Sequence, residues 1–296
     1  MKGPVQNALT VDLEDWFQVA AFFPYIKYED WDTISSKQSR VEANTDRILG
    51  ILDDYTTRAT FFVLGWIADR YPGLIKTITA CGHEIACHGY SHTLVYAQTP
   101  QEFKEETHRA KSILEDIIAK PVEGYRASTY SITPGTFWAF DVLLEEGFRY
   151  DSSIFPIRHP QYGCPNEPKD PYILTAPCGA QIVEFPLSTV KLLGATLPIA
   201  GGGYFRQFPY FYTRWGFNAL NDRKRPGIFY IHPWELDPGQ PRVANISKTT
   251  RLRHYRNLDQ TEHRFRRLLK DFSFTSVQRV LLLEGILAPL TLKRAA

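Results

Sequence analysis

Little in this sequence of 296 residues points to a protein built on thiols or on a membrane span. Its four cysteines, Cys81, Cys87, Cys164 and Cys178, contain no CxxC pair and suggest no disulfide framework, so they are expected to be small buried hydrophobes. No run reaches the roughly 18 uncharged apolar residues that a spanning helix needs. The nearest, "VLLLEGILAPLTL", is broken by Glu284, Gly285 and Pro289 and reads as a packed terminal helix, with peripheral membrane contact as the alternative. The start, "MKGPVQNALTVDLEDW", has no apolar stretch before its acidic cluster, which reads as a cytoplasmic chain. A net charge of +2 makes no electrostatic case for a nucleic-acid partner. The basic tract "RLRHYRNLDQTEHRFRRLLK" reads as the solvated face of an amphipathic helix. No internal repeat, linker or low-complexity segment divides the chain, and nothing in it fixes an oligomeric state.

What is present is a dense apolar and aromatic content, 44% hydrophobic with 14% rings, enough to fill a core and line a cleft. Strand-like and helix-like segments alternate. "NALTVDL" alternates toward a strand, and "TDRILGILDDY" carries helical spacing with Asn44 or Thr45 as its cap. "RATFFVLG" reads as a buried parallel strand, "PGLIKTITACG" as a helix closed by Gly82, and "HEIACHG" as the next strand. A helix over "PQEFKEETHRAKSILEDII" and a strand over "VEGYRAST" follow. This succession predicts an α/β fold, a distorted (β/α) barrel of parallel strands with outer helices, whose working residues sit at the C-terminal strand ends. The whole chain, 1–296, is expected to be one domain. Its part from about 155 onward is less regular: prolines and glycines over 155–203 suggest long loops, and "PGIFYIHPWEL" supplies a last strand.

The chemistry gathers at those strand ends. Asp12, Glu14 and Asp15 close the first strand, His88 and His92 leave the one that "HEIACHG" forms, and His232 ends "IFYIH". Two histidines four apart across a tight turn, with a carboxylate, make a donor set for zinc or a similar divalent ion with an open position for water. Along an extended strand Asp12 and Glu14 point the same way and Asp15 the other. This favours Glu14 as third ligand, unless the chain has already turned, in which case Asp15 serves. Trp16 and Trp234 adjoin these residues and, with Tyr130, are candidate walls for a ligand with an apolar face. His83 reads as structural, and Glu235 and Asp237 as supports for the rim loops.

"TVDLEDW", "HGYSH", "GYRAST", "YDSS" and "FYIHPWELD" together resemble, in order and interval, the motif series of NodB-type polysaccharide deacetylases, carbohydrate esterase family 4. "VEFPLSTV", "GGGYFR" and "HPWELDPGQPR" resemble its exosortase-associated exopolysaccharide branch. The resemblance implies Asp12 as general base, His88 and His92 as ligands, Arg126 steering the base, His232 as general acid, and Asp151 orienting that histidine. It implies a divalent ion, zinc first with cobalt, nickel or manganese as alternatives, and an N-acetylated polysaccharide or oligosaccharide as substrate. Family members often open with adjacent aspartates; here Leu13 separates Asp12 from Glu14 and Asp15. Ala127, Ser128 and Thr129 stand where a proline is usual after the arginine. Two other readings keep the fold: an allantoinase-like hydrolase of small amides, and a non-catalytic carbohydrate-binding module.

Overall fold

The computed structural model describes residues 4–289. The strands are β1 (Asn7–Leu13), β2 (Thr60–Val63), β3 (Glu84–Cys87), β4 (Gly124–Tyr125), β5 (Tyr150–Asp151), β6 (Tyr172–Thr175), β7 (Gln181–Glu184), β8 (Thr189–Leu192), β9 (Ala195–Pro198), β10 (Ile228–Ile231) and β11 (Phe274–Thr275). The α-helices are α1 (Trp31–Gln38), α2 (Val41–Asp54), α3 (Gly65–Arg70), α4 (Pro72–Ala80), α5 (Pro100–Ile118), α6 (Trp138–Glu145), α7 (Gly202–Gln207), α8 (Tyr210–Asn221), α9 (Lys248–Tyr255), α10 (Leu258–Asp271) and α11 (Val277–Leu283).

One curled sheet runs β10-β1-β2-β3-β4-β5-β7-β6, with β11 also paired to β1, and β8–β9 form a separate hairpin. Every pairing in the large sheet is parallel except β6 with β7. The result is a half-barrel of parallel strands with outer helices, the predicted class, left open between β10 and β6. β1 is buried at all seven positions, because it is flanked by β10 and β2 and covered on both faces. Its sequence alternation therefore does not mark a solvent face. The register aligns the strand ends: Val11 pairs with Ile231, Leu13 with Val63, Val63 with Cys87, Cys87 with Tyr125 and Tyr125 with Asp151. Glu14, His88, Arg126 and His232 consequently leave the sheet along one rim.

Several helices follow their local signals. Thr99 caps α5 through a reciprocal bond pair with Glu102, with Pro100 in the first turn. α2 starts earlier than its presumed caps: Asn44 and Thr45 lie inside it, one turn past Val41. Of the segment 155–203, expected to be long loops, residues 155–171 are irregular, whereas 172–198 hold the antiparallel pairs β6–β7 and β8–β9. The strand within "PGIFYIHPWEL" is β10, and β11 follows it. The basic tract breaks into α9 and α10 at Asn257, whose φ of 56° ends the first helix. Cys87 and Cys164 are buried as expected, whereas Cys81 and Cys178 are exposed. In the C-terminal apolar stretch Val280, Leu281 and Leu287 are buried in the core, so its described part is packed; residues 290–292 lie outside the described chain. Among the described residues no helix is long and apolar enough to cross a membrane.

Candidate active site

Glu14, His88 and His92 place a carboxylate oxygen and two ring nitrogens within 4.8 Å of one another, all buried. Glu14 Oε1 lies 2.9 Å from His92 Nε2 and 3.4 Å from His88 Nε2. His88 enters directly from β3, and its Nδ1–H donates to the Arg126 carbonyl at 2.7 Å, which leaves Nε2 with a bare lone pair facing Glu14. That Nε2 is buried without a hydrogen-bond partner. His92 takes a φ of 59°, the left-handed turn after Gly89 that brings the second imidazole back beside the first. Burial pushes the Glu14 carboxyl up, but His92 and His232 beside it outweigh that and hold it well below the usual range.

Asp15 points the other way. It caps the turn Trp16–Gln18 through Trp16 N and accepts from Ser39 Oγ (2.8 Å), Arg40 N (2.9 Å) and Val41 N (3.2 Å). Its oxygens are engaged in pinning the start of α2, so Glu14, and not Asp15, faces the two imidazoles. The turn that Asp15 caps also carries Trp16 into the core, where its Nε1–H donates to the Gln38 carbonyl at 3.0 Å. Trp16 does not line the cleft, and its reading as a ligand wall is corrected.

Asp12, two residues before Glu14, accepts from Arg126 Nη1 at 2.6 Å, and both groups are buried. Arg126 is held by Thr10 Oγ1 and by the carbonyl and hydroxyl of Ser152. The "YDSS" motif thus supports the arginine. Asp151 accepts from Ser153 N and Ser153 Oγ, while Ser153 Oγ accepts from Ala127 N. Asp151 does not orient His232: its carboxyl sits at the end of β5 against Glu184, one strand side of Arg126, and burial raises the pKa of both acids.

His232, at the end of β10, turns its Nδ1–H to Glu235 Oε2 at 3.1 Å, so Nε2 faces the site, 4.0 Å from Asp12 Oδ2 and 3.8 Å from Glu14 Oε1. Burial lowers its pKa, but Glu14, Glu235 and Asp12 outweigh that and raise it to about 9. Glu235 is the orienting carboxylate that sequence reasoning assigned elsewhere. Burial opposes its ionisation, yet Arg206 at 2.6 Å and His232 lower its pKa to about 2. The signal was present: in His232-Pro233-Trp234-Glu235 an acid follows the strand end by three residues with proline between, the pattern of a capping turn that folds the acid back. Arg206 gave no such signal. It reaches Glu235 because Gly201 (φ 128°) lies against β10, where a Cβ would come within 2.0 Å of the Tyr230 carbonyl.

Asp12, Glu14, His88, His92, Tyr130 and His232 share one cavity of about 290 Å³. Tyr130 directs its hydroxyl toward Asp12 Oδ2 at 3.5 Å, and Trp234 borders the cavity but is buried, stacked on His232 at 5.2 Å and on His254 at 4.5 Å. Thr129 and Tyr130 both hold positive φ, an uncommon backbone for such residues, at the cavity wall. A larger cavity of about 510 Å³ lies at the opposite strand ends around His83, Glu84 and Glu123. There His83 accepts from Ala59 N, Glu84 from Thr60, Tyr150 and Gln278 N, and Glu123 from Arg149 and Gln278, so size alone does not select it.

The family model described as polysaccharide deacetylase matches residues 26–140, and that of a domain of unknown function, DUF3473, matches residues 152–282. A peptidoglycan deacetylase of Helicobacter pylori is 29% identical over 123 residues, 42% of this chain and 41% of its own. A chitooligosaccharide deacetylase of Bradyrhizobium is 29% identical over 99 residues, 33% of this chain and 43% of its own. The chain thus spans under half the length of these curated relatives. In fold it is similar to a Mycobacterium smegmatis protein assigned to the polysaccharide deacetylases, with a TM-score of 0.64, 20% identity, and coverage of 100% of this chain and 96% of the other. It is also similar to the PuuE allantoinase, with a TM-score of 0.59, 18% identity, and coverage of 97% and 92%. The similarity to polysaccharide deacetylases thus lies in residues 26–140 of this chain and in part of each relative's length.

Proposed function

We propose that the chain is a metal-dependent hydrolase that removes N-acetyl groups from an exopolysaccharide or its precursor. The observation that carries this reading is the convergence of Asp12, Glu14, His88, His92 and His232, from three separate segments, on one cavity. Glu14, His88 and His92 would hold the ion. Two imidazoles and a carboxylate suit zinc, with cobalt, nickel or manganese as substitutes, and the orphaned His88 Nε2 is the lone pair such an ion would take up. Once bound, the ion polarises an amide carbonyl and makes a water acidic near neutral pH.

The chain's own residues supply the proton traffic. Asp12 accepts the proton of the attacking water, its carboxylate held in place by Arg126 Nη1 at 2.6 Å. His232 carries the proton that the departing amine needs: Glu235 holds Nδ1, leaving Nε2 directed at the cleft. Tyr130 borders the cleft beside Asp12, where a sugar can lie against it, while Trp234, stacked on His232 and His254, backs the acid histidine. The antiparallel pairs after β5, and Tyr162 between them and the cleft, favour an extended saccharide over a small amide.

The test is acetate release from N-acetylated oligosaccharides by protein loaded with zinc or cobalt. Asp12→Asn is expected to lower turnover by about 10²–10⁴, and His88→Ala to lower it together with metal content. Turnover equal to wild type in both variants overturns the hydrolase reading. Cleavage of small ureides alone would replace the substrate class.

A further inference from the structure

The tip of the β8–β9 hairpin has no folding rationale. Leu192 pairs with Ala195 across the last rung, and Leu193 and Gly194 make the two-residue turn with φ of 48° and 83°. Such turns favour Asn, Asp or Gly at the first position, because an L side chain in the left-handed region is strained. Here that position holds a leucine that is 98% exposed, beside Leu192 at 46%. The chain thus keeps a strained apolar residue where it buries nothing.

One rung behind the tip the surface is cationic. Lys191 sits directly across from Thr196, and Lys169 Nζ donates to Thr196 Oγ1 at 2.7 Å, so two ammonium groups flank a single cross-strand pair. At the hairpin's base Tyr212 of α8 donates to the Pro198 carbonyl at 2.9 Å. The outer face of that helix shows Phe211, 70% exposed, with Trp215 four residues on. The hairpin also adjoins the cleft: Tyr204, which lines a cavity with Gly194 and Pro198, bonds Tyr162 at 3.3 Å, and Tyr162 lines the catalytic cavity.

We infer that this hairpin docks the protein on an anionic lipid bilayer, with Leu192 and Leu193 inserted below the headgroups and Lys169 and Lys191 at the level of the phosphates. An apolar tip in front of a basic collar, with an aromatic shoulder at the hairpin's base, matches the layering of a bilayer surface. Neither signal alone anchors a protein; the two together do. Docking there brings the cleft beside membrane-held saccharide. The inference stands apart from the hydrolase reading, since vesicle binding is measured without turnover.

The test is co-sedimentation of the full chain with phosphatidylcholine vesicles, with and without a quarter phosphatidylglycerol, at low and high salt. Wild type is expected to partition onto the anionic vesicles and to be released by salt. L192S/L193S is expected to weaken partitioning by about tenfold or more, and K169A/K191A to abolish the preference for anionic lipid. Leu193→Asn separates a docking role from a structural one: it is expected to raise the melting temperature, by relieving the turn, while weakening partitioning. Wild-type partitioning no better than that of L192S/L193S overturns the inference. So does self-association of wild type in analytical ultracentrifugation that Leu193→Asn abolishes without any vesicle binding, which would make a second copy the occupant.

Discussion

Glu14 and Asp15 are neighbours in the chain with opposite duties, and the structure assigns each by what its oxygens touch. Glu14 meets two imidazoles; Asp15 meets four donors at the start of α2 and the turn before it. Glu14→Gln is therefore expected to weaken zinc binding by about a hundredfold or more, at or beyond the upper range for residues that only orient ligands, read by calorimetry. Asp15→Ala is expected to leave zinc affinity unchanged and to cost about 2 kcal/mol or more of stability, because buried donors at Trp16, Arg40 and Val41 lose their acceptor. The strand argument that Asp12 and Glu14 share a side was legible in the sequence, since a period of two needs no tertiary information. Asp151 was not: its place beside Arg126 depends on the register of β4 against β5, which no local pattern encodes. Arg126 itself is fully buried beside Asp12. Arg126→Ala is expected to cost about 3–5 kcal/mol in urea denaturation by leaving that carboxylate unpaired, and lysine to restore only part, lacking the fork that spans Thr10, Asp12 and Ser152.

At the scale of elements, strongly periodic or capped segments were legible. α5 matches its sequence signature because cap, proline and apolar stripe all agree. The basic tract was less so, since helical periodicity shows no sign of the break at Asn257 or of what the buried side meets. That side matters to the site. Arg206 donates to the carbonyls of Arg253, His254 and Arg256 at the end of α9 while it holds Glu235. His254 then stacks on Trp234, with Nε2 bonded to Gln240 Oε1 at 2.7 Å. Burial, with Arg206 adding to it, lowers the His254 pKa to about 3. Above the ordinary value of about 6.5 the imidazole is neutral folded or unfolded and contributes no pH dependence. As pH falls below that, the unfolded chain takes up a proton that the folded one refuses, so stability declines toward pH 3. Between pH 7 and pH 5 the loss is about 2 kcal/mol from this group. His254→Gln is expected to remove that increment from the difference between urea curves at the two pH values; an unchanged difference would show that His254 charges in the folded state.

For the whole molecule, the deacetylase match ends at residue 140 and the domain of unknown function begins at residue 152, yet the sheet does not divide there. β1, the strand that carries Asp12, is paired over Ala8–Val11 with β10 and over Asn7–Ala8 with β11, both from the second half. β5 is likewise covered by β7. Without the second half β1, buried at every position in the intact chain, would become an edge strand, and His232 and Glu235 would be missing from the rim. The alternation of strand and helix made the first half legible, because each parallel strand is bought by its own crossover helix. The second half reaches β1 across a long sequence separation, through hairpins whose pairing depends on what they pack against. A fragment of residues 4–151 is therefore expected to lack near-ultraviolet circular dichroism and to aggregate, whereas the same fragment mixed with residues 152–289 regains the signal if the pairing of β1 with β10 drives assembly. A fragment that folds alone, with a cooperative urea transition, would mean that β10 and β11 decorate a finished sheet and do not complete it.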